Sequence, residues 1–148
     1  MKTGVSFGSH LMPGWHPADD LPDPPKPRRT WRHKFGEAFR GVKLGVRGQS
    51  SFYVHFFFAA LAVLAGFLLE CGWAEWCLVA LAVGLVLTAE LFNSALETLF
   101  HGLDSDTKNR LVGVLDIAAG AVLVASSTAV VVGGIVFSRK LLLFAGWL

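Results

Sequence analysis

Four polar residues, Glu90, Asn93, Glu97 and His101, interrupt an apolar stretch at intervals of three, four and four. At about 100° per helical residue they fall within about 80° of arc and share one face. An ionised side chain at mid-bilayer costs about 2.5–3.5 kcal/mol on insertion scales, so two acids on one stripe need a reason. Counted from Glu75 at about 1.5 Å per residue, Glu90 lies about 22 Å along such a helix and Glu97 about 33 Å. Glu90 would then sit just below one layer of headgroups and Glu97 at the water interface, with Asp116 arriving at a similar level. Three chemistries fit the stripe. It could be interhelical glue made of hydrogen-bonded amides and protonated acids. It could be a proton or cation relay. It could be a catalytic site, with one carboxylate as base for a lipid hydroxyl and another holding a divalent metal. Periodicity alone leaves all three open.

The elements that must carry the stripe follow from composition. The chain has 148 residues, of which 53% are hydrophobic and 16% charged, against about 25% charged in soluble domains. Residues 1–52 hold nine of the 13 Lys and Arg and four of the 11 Asp and Glu, a net of +5; residues 53–148 hold four and seven, a net of −3. Gly48 to Leu69 and Ile117 to Ser138 are each 22 residues without a formal charge, and about 20 apolar residues cross a bilayer core. Trp76 to Ala89 adds 14 more and continues past Glu90 and Glu97 to Leu103. These patterns predict an all-α membrane protein with spans at about 50–70, 75–101 and 111–137. The first span starts too late to be a cleavable signal.

Before the spans, Trp31, Phe35, Phe39, Val42 and Val46 recur at four, four, three and four, while Arg40, Lys43 and Arg47 take another face. This predicts an amphipathic surface helix over 30–48. The six prolines lie between Pro13 and Pro27, so residues 1–28 are expected to be a disordered cytoplasmic tail. The region 29–140 would form one transmembrane domain, and 141–148 an apolar C-terminal tail. Basic residues crowd before the first span, and Lys108 and Arg110 lie between the second and third. The N-terminus and the 102–110 loop are therefore expected in the cytoplasm. Trp73 and Trp76 would mark the far interface, and Cys71 and Cys77, without companion ligands, are expected to pack rather than bind metal.

The run Ala89-Glu90-Leu91-Phe92-Asn93-Ser94-Ala95-Leu96-Glu97 is followed, nineteen residues on, by Asp116-Ile117-Ala118-Ala119-Gly120-Ala121-Val122-Leu123. Together with Phe35-Gly36-Glu37-Ala38-Phe39-Arg40-Gly41 upstream, this resembles the prokaryotic diacylglycerol kinase family, which includes the undecaprenol kinases. The likeness covers about residues 31–137. It implies a homotrimeric membrane kinase of three transmembrane helices and a surface helix per subunit, located in the inner (cytoplasmic) membrane. Such a protein moves the γ-phosphoryl of ATP, with Mg2+, onto the hydroxyl of diacylglycerol or undecaprenol, and has no nucleic-acid partner. The absence of a G-x-x-x-x-G-K-[ST] loop and of protein-kinase signatures agrees with a different way of holding ATP.

By this resemblance Glu90 is the catalytic base and, with Ser94, meets the lipid substrate. Glu97 is a metal ligand, and Glu37, Asn93, Glu97, Asp106, Thr107, Lys108 and Asp116 are ATP-binding positions. Gly120 and the alanines around it would let the third span pack closely. Three positions depart from the pattern. Gln49 stands where the family has a second metal-binding glutamate, His101 replaces an aspartate, and Leu115 replaces a lysine. Gln49 still offers a neutral oxygen to a metal. Lys108, Arg110, Arg40 and Arg47 are candidates for the missing cation near the phosphates. The alternatives are a noncatalytic scaffold or lipid binder of the same fold and an ion or proton pathway.

Overall fold

The computed structural model describes residues 30–47 and 49–147. The expected tail at 1–28 lies outside the described residues. Five helices follow in order: α1 (Trp31–Val46), α2 (Ser50–Leu68), α3 (Trp73–His101), α4 (Ser105–Arg110) and α5 (Val114–Phe144). Among the described residues there is no strand. Helices α2, α3 and α5, of 19, 29 and 31 residues, are each long and apolar enough to cross a membrane. At about 1.5 Å per residue, α2 just matches a ~30 Å hydrocarbon core, while α3 and α5 overreach it and carry their charged ends beyond. The protein is an all-α membrane protein.

The helix ends follow from local chemistry. Arg47 and Gln49 both have extended backbones, with ψ of 119° and 110°, so α1 stops and the chain turns into α2. At the end of α2, Glu70 takes a left-handed conformation, φ 48°. Cys71 N–H bonds the Gly66 carbonyl at 2.9 Å and Glu70 N–H that of Phe67 at 3.2 Å, the paired closure that glycine usually provides. The Glu70 carbonyl accepts from Lys140 Nζ at 2.7 Å, which ties the strained turn to α5. The Glu75 carboxylate reaches back to Gly72 N–H at 2.8 Å and caps α3. It also accepts from Arg139 at 3.2 Å. Both cations are thus held by the α2–α3 turn, and Arg and Lys, good helix formers, do not interrupt α5. α5 runs on through Leu141–Phe144, where the sequence led us to expect a tail, and beyond its cap at Ala145 the chain turns at Gly146, φ 73°.

One seam organises the packing, which is chiefly α3 against α5, with α2 more lightly applied to α3. Val79, Val86 and Asn93 are buried at seven-residue intervals on α3, and Ala118 and Ala125 at the same interval on α5, with Val136 beyond them. A seven-residue repeat is the pattern of shallow left-handed crossing. The small residues of α5 permit the close approach at Ala118 and Ala125, whereas a Cβ on Gly120 would meet open space. Of the small residues expected to allow close approach, Ala118 does so within this chain, whereas Gly120 meets no neighbouring helix in it. α2 runs antiparallel to α3, and at its far end Gly66 lies against the Trp76 ring. α1 touches α3 where Gly45 meets Leu91. Its Trp31, Phe35 and Phe39 remain exposed, as a surface helix facing lipid requires.

Between α3 and α5, α4 is capped by Asp104, whose carboxylate accepts from Asp106 N–H at 3.1 Å, Thr107 N–H at 3.0 Å and Thr107 Oγ1 at 2.7 Å. The Thr107 hydroxyl and then its amide hold Asp104 below the ordinary aspartate value of 3.8. A carboxylate whose folded value is lowered supports the fold above its unfolded value and loses that support as pH falls through the folded one. The Thr107 amide resonance should therefore titrate with a midpoint below 3.8; a midpoint at or above it contradicts the cap.

A second expectation concerns α2–α3 packing. A methyl on Gly66 would lie 2.9 Å from the Trp76 ring, and overpacking of this kind costs about 1–3 kcal/mol. Gly66→Ala should lower the melting temperature in detergent, and an unchanged value would show that α2 and α3 do not meet there.

Candidate functional site

The apolar seam of α3 turns polar toward its C-terminal end. After Val79, Val83 and Val86 come Glu90, Asn93 and Glu97 on the same face. Glu90 is 2% exposed, Asn93 8% and Ser94 2%, which is rare for an acid without full pairing. The stripe read from the sequence is therefore turned inward at Glu90 and Asn93, half-buried at Glu97 and exposed at His101.

Two oxygens of one carboxylate knit the site. Glu97 Oε2 accepts from Gln49 Nε2 at 2.9 Å, and Glu97 Oε1 accepts from Asn93 Nδ2 at 2.9 Å. The first bond closes 48 residues of chain and fixes the start of α2 against the last turns of α3. Gln49 can reach because it is the extended residue just before α2, where its side chain leaves the helix axis. Asn93 Oδ1 and Ser94 Oγ are buried with no hydrogen-bond partner. Leaving such atoms unpaired costs about 1–3 kcal/mol each, so they are natural points for a ligand or a neighbouring group. Thr98 Oγ1 closes on the Ser94 carbonyl at 2.8 Å.

Deeper along α3, Glu90 Oε2 faces His55 Nε2 of α2 at 3.7 Å. His55 also heads a cleft of about 580 Å³ between α2, α3 and α5, whose walls include Phe58, Val79, Val86 and Phe137. The cleft is apolar apart from His55 and Ser126, and Ser126 Oγ is buried without a partner. It extends about ten residues along each helix, or about 15 Å. The Glu90 carboxylate thus lies against the histidine that walls the slot, about one helical turn beyond the slot's Leu87, with a second carboxylate about 10 Å nearer the end of the helix.

The remaining candidates gather differently. Asp106 pairs with Arg110 at 3.0 Å, Thr107 with Asp104, and Lys108 Nζ with the His101 carbonyl at 3.3 Å. These three lie on α4, engaged with one another's neighbours rather than with the stripe. Of the cations considered for the phosphates, Lys108 and Arg110 are held in this way, while Arg40 and Arg47 are exposed on or beside α1. Asp116 is exposed in the first turn of α5, and among the described residues no hydrogen bond or ion pair joins it to the stripe. Glu37 is half-buried on α1, 3.4 Å from His33. Sequence reasoning missed His55 and Asp104. Asp104 had a readable signal, a capping residue before Ser-Asp-Thr; His55 had none, since it sits in an apolar run.

A metal would find one carboxylate and two amides here. Among the described residues no group of three His, Cys, Asp or Glu could hold an ion alone. Mg2+ commonly binds one or two carboxylates and completes its shell with phosphate and water oxygens. The Glu97 carboxylate, a turned Gln49 amide and the unpartnered Asn93 Oδ1 fit that modest role, and not an all-protein cage.

Comparison with known proteins agrees with this architecture. The prokaryotic diacylglycerol kinase family matches residues 36–137. The undecaprenol kinase of Bacillus subtilis is 33% identical over 110 residues, covering 72% of this chain and 87% of that protein. The diacylglycerol kinase of Synechocystis sp. is 34% identical over 109 residues, covering 73% of this chain and 62% of that one, so less than two thirds of its length is spanned. No solved structure matches significantly. The matched region takes in Gln49, His55, Glu90, Asn93, Glu97 and both polar and apolar parts of the seam, and the chain belongs to the prokaryotic diacylglycerol kinase family.

Proposed function

We propose that this protein is an ATP-dependent lipid kinase that phosphorylates diacylglycerol or undecaprenol at the cytoplasmic face of the inner membrane. The observation that carries the reading is the buried Glu90 set against His55, which walls an apolar cleft, on the same face as a Glu97 carboxylate gripped by Gln49 and Asn93. A lipid hydroxyl must stay with its chain in the hydrocarbon while the nucleotide stays in water. Glu90 and Glu97, two helical turns apart, serve those two levels.

In the reaction Glu90 takes the proton of the lipid hydroxyl as its oxygen bonds to the γ-phosphorus. The bond from that phosphorus to the bridging oxygen breaks, and ADP leaves with the electron pair. Phosphoryl transfer needs positioning and neutralised charge more than covalent help. Bound Mg2+ would supply that neutralisation on the phosphates, held by Glu97 with Gln49 and Asn93 oxygens. Ser94, buried and unpartnered, is suited to a hydrogen bond with the lipid head. Asp106, Thr107, Lys108, Asp116 and Glu37 would line the nucleotide from α4, α5 and α1. On this reading three copies assemble in the bilayer, as the family likeness implies, with the N-terminus and the 102–110 loop on the cytoplasmic side, where the basic residues crowd.

Purified protein in lipid, with γ-labelled ATP and Mg2+, should label diacylglycerol or undecaprenol. Glu90→Gln should reduce the rate by about 10²-fold or more, the usual contribution of a general base. Folded protein that labels neither lipid overturns the reading in favour of a scaffold. Gln49→Glu should lower the Mg2+ concentration giving half-maximal rate, because a second carboxylate joins the first. The same change should lower the melting temperature without Mg2+, since two carboxylates then face each other, and restore it with Mg2+ present. An unchanged Mg2+ dependence would place the metal elsewhere.

A further inference from the structure

The register of α2 against α3 pairs polar groups one for one. Gln49 meets Glu97 at 2.9 Å, and six residues further along α2 His55 meets Glu90, seven residues back along α3, at 3.7 Å. Past His55 the rest of α2, from Phe56 to Leu68, carries only apolar side chains and one glycine. Gln49 at the N-cap of α2 and His55 within it are thus each set against one of the two acids, whereas Tyr53 between them is exposed. Among the described residues no hydrogen bond reaches the Glu90 carboxylate, and His55 is its one ion-pair contact. The imidazole side chain is 17% exposed and the carboxylate side chain 3%, so water reaches this pair poorly.

We propose that His55 is the positioning residue for Glu90. Its Nε2–H donates to Oε2 of the carboxylate, which fixes the carboxylate plane and leaves Oε1 turned to the lipid hydroxyl. The separation of 3.7 Å is longer than a formed hydrogen bond, and catalytic contacts of this kind tighten when substrate arrives. The proton removed from the hydroxyl goes to Glu90 Oε1, and the Nε2 proton stays on His55. A carboxylate without such a donor would rotate in its apolar surroundings and present the wrong oxygen. Because His55 also walls the cleft, the residue that orients the base also touches the slot where the lipid chain would lie. The inference rests on Glu90 being the base, and the variants below separate the two claims.

His55→Leu keeps the bulk of the side chain and removes the donor. His55→Gln places an amide N–H near the position of Nε2. The Leu variant should lower kcat about tenfold or more, with KM for the lipid changed less than about threefold and the melting temperature in detergent retained; the Gln variant should recover most of kcat. Non-additivity is also expected, with Glu90→Gln/His55→Leu no slower than Glu90→Gln alone. Equal losses in the Leu and Gln variants, or a loss that follows KM or melting temperature, overturn the proposal. If Glu90→Gln is inactive while His55→Leu works normally, the base survives and the role of His55 falls; if Glu90→Gln is itself active, the base assignment falls first. One readout is independent of turnover. The carboxyl ¹³C resonance of Glu90, identified by its loss in Glu90→Gln, should move in His55→Leu and return toward its place in His55→Gln. A resonance indifferent to both changes overturns the contact.

Discussion

The Glu97 carboxylate is the joint on which the site depends. Both of its oxygens are taken, one by Gln49 from the start of α2 and one by Asn93 from α3 itself. A carboxylate near the membrane surface must be solvated or bonded, because an unpaired buried charge costs several kcal/mol. Here the bonding also sets geometry. It draws α2 onto α3 at one end, as the Gly66–Trp76 contact does at the other, and so determines which α2 side chain stands opposite Glu90.

The same helix face performs two tasks in sequence. Along its first half the seam positions of α3 are valines, buried between helices and forming one wall of the cleft. Along its second half the seam positions hold Glu90, Asn93 and Glu97, and the tight helical repeat that served packing now holds polar groups at fixed spacing. Rigid elements locate reactive groups more precisely than loops do. The opposite end has its own fastening, where Arg139 and Lys140 bind Glu75 and the Glu70 carbonyl. Polar contacts join α2 to α3 at one end and α5 to the α2–α3 turn at the other, and the apolar cleft lies between them. This arrangement favours a long-chain substrate entering from the bilayer, on the lipid kinase reading.

Much of the fold was legible because membrane constraints are simple. Runs of 22 uncharged residues announce spans, and the spacing of Glu90, Asn93 and Glu97 announces a face. What that face meets was not legible. Gln49 entered through a family likeness, and its bond to Glu97 depends on an extended residue between two helices that no periodicity reveals. His55 lies in a phenylalanine-rich run, and a partner 35 positions away on an antiparallel helix leaves no local trace. Glu70 shows the limit from the other side: a left-handed residue that is not glycine reads as an ordinary charged turn until Lys140 is seen holding its carbonyl. The apolar residues after Lys140 read as a tail because charge ends a span, yet charge does not end a helix, and α5 continues through Phe144.

The central claim, that phosphoryl transfer takes place on the polar half of the α3 seam, can be tested by distance. Protein with ¹³C-labelled glutamate carboxyls, in bilayers with Mg2+ and a non-hydrolysable ATP analogue, allows ³¹P–¹³C dipolar dephasing to be measured for each assigned carboxyl. The strongest dephasing is expected at Glu97, weaker dephasing at Glu90 and none at Glu75, which caps the far end of α3. Dephasing absent from both Glu97 and Glu90 in protein that binds the nucleotide would contradict the claim.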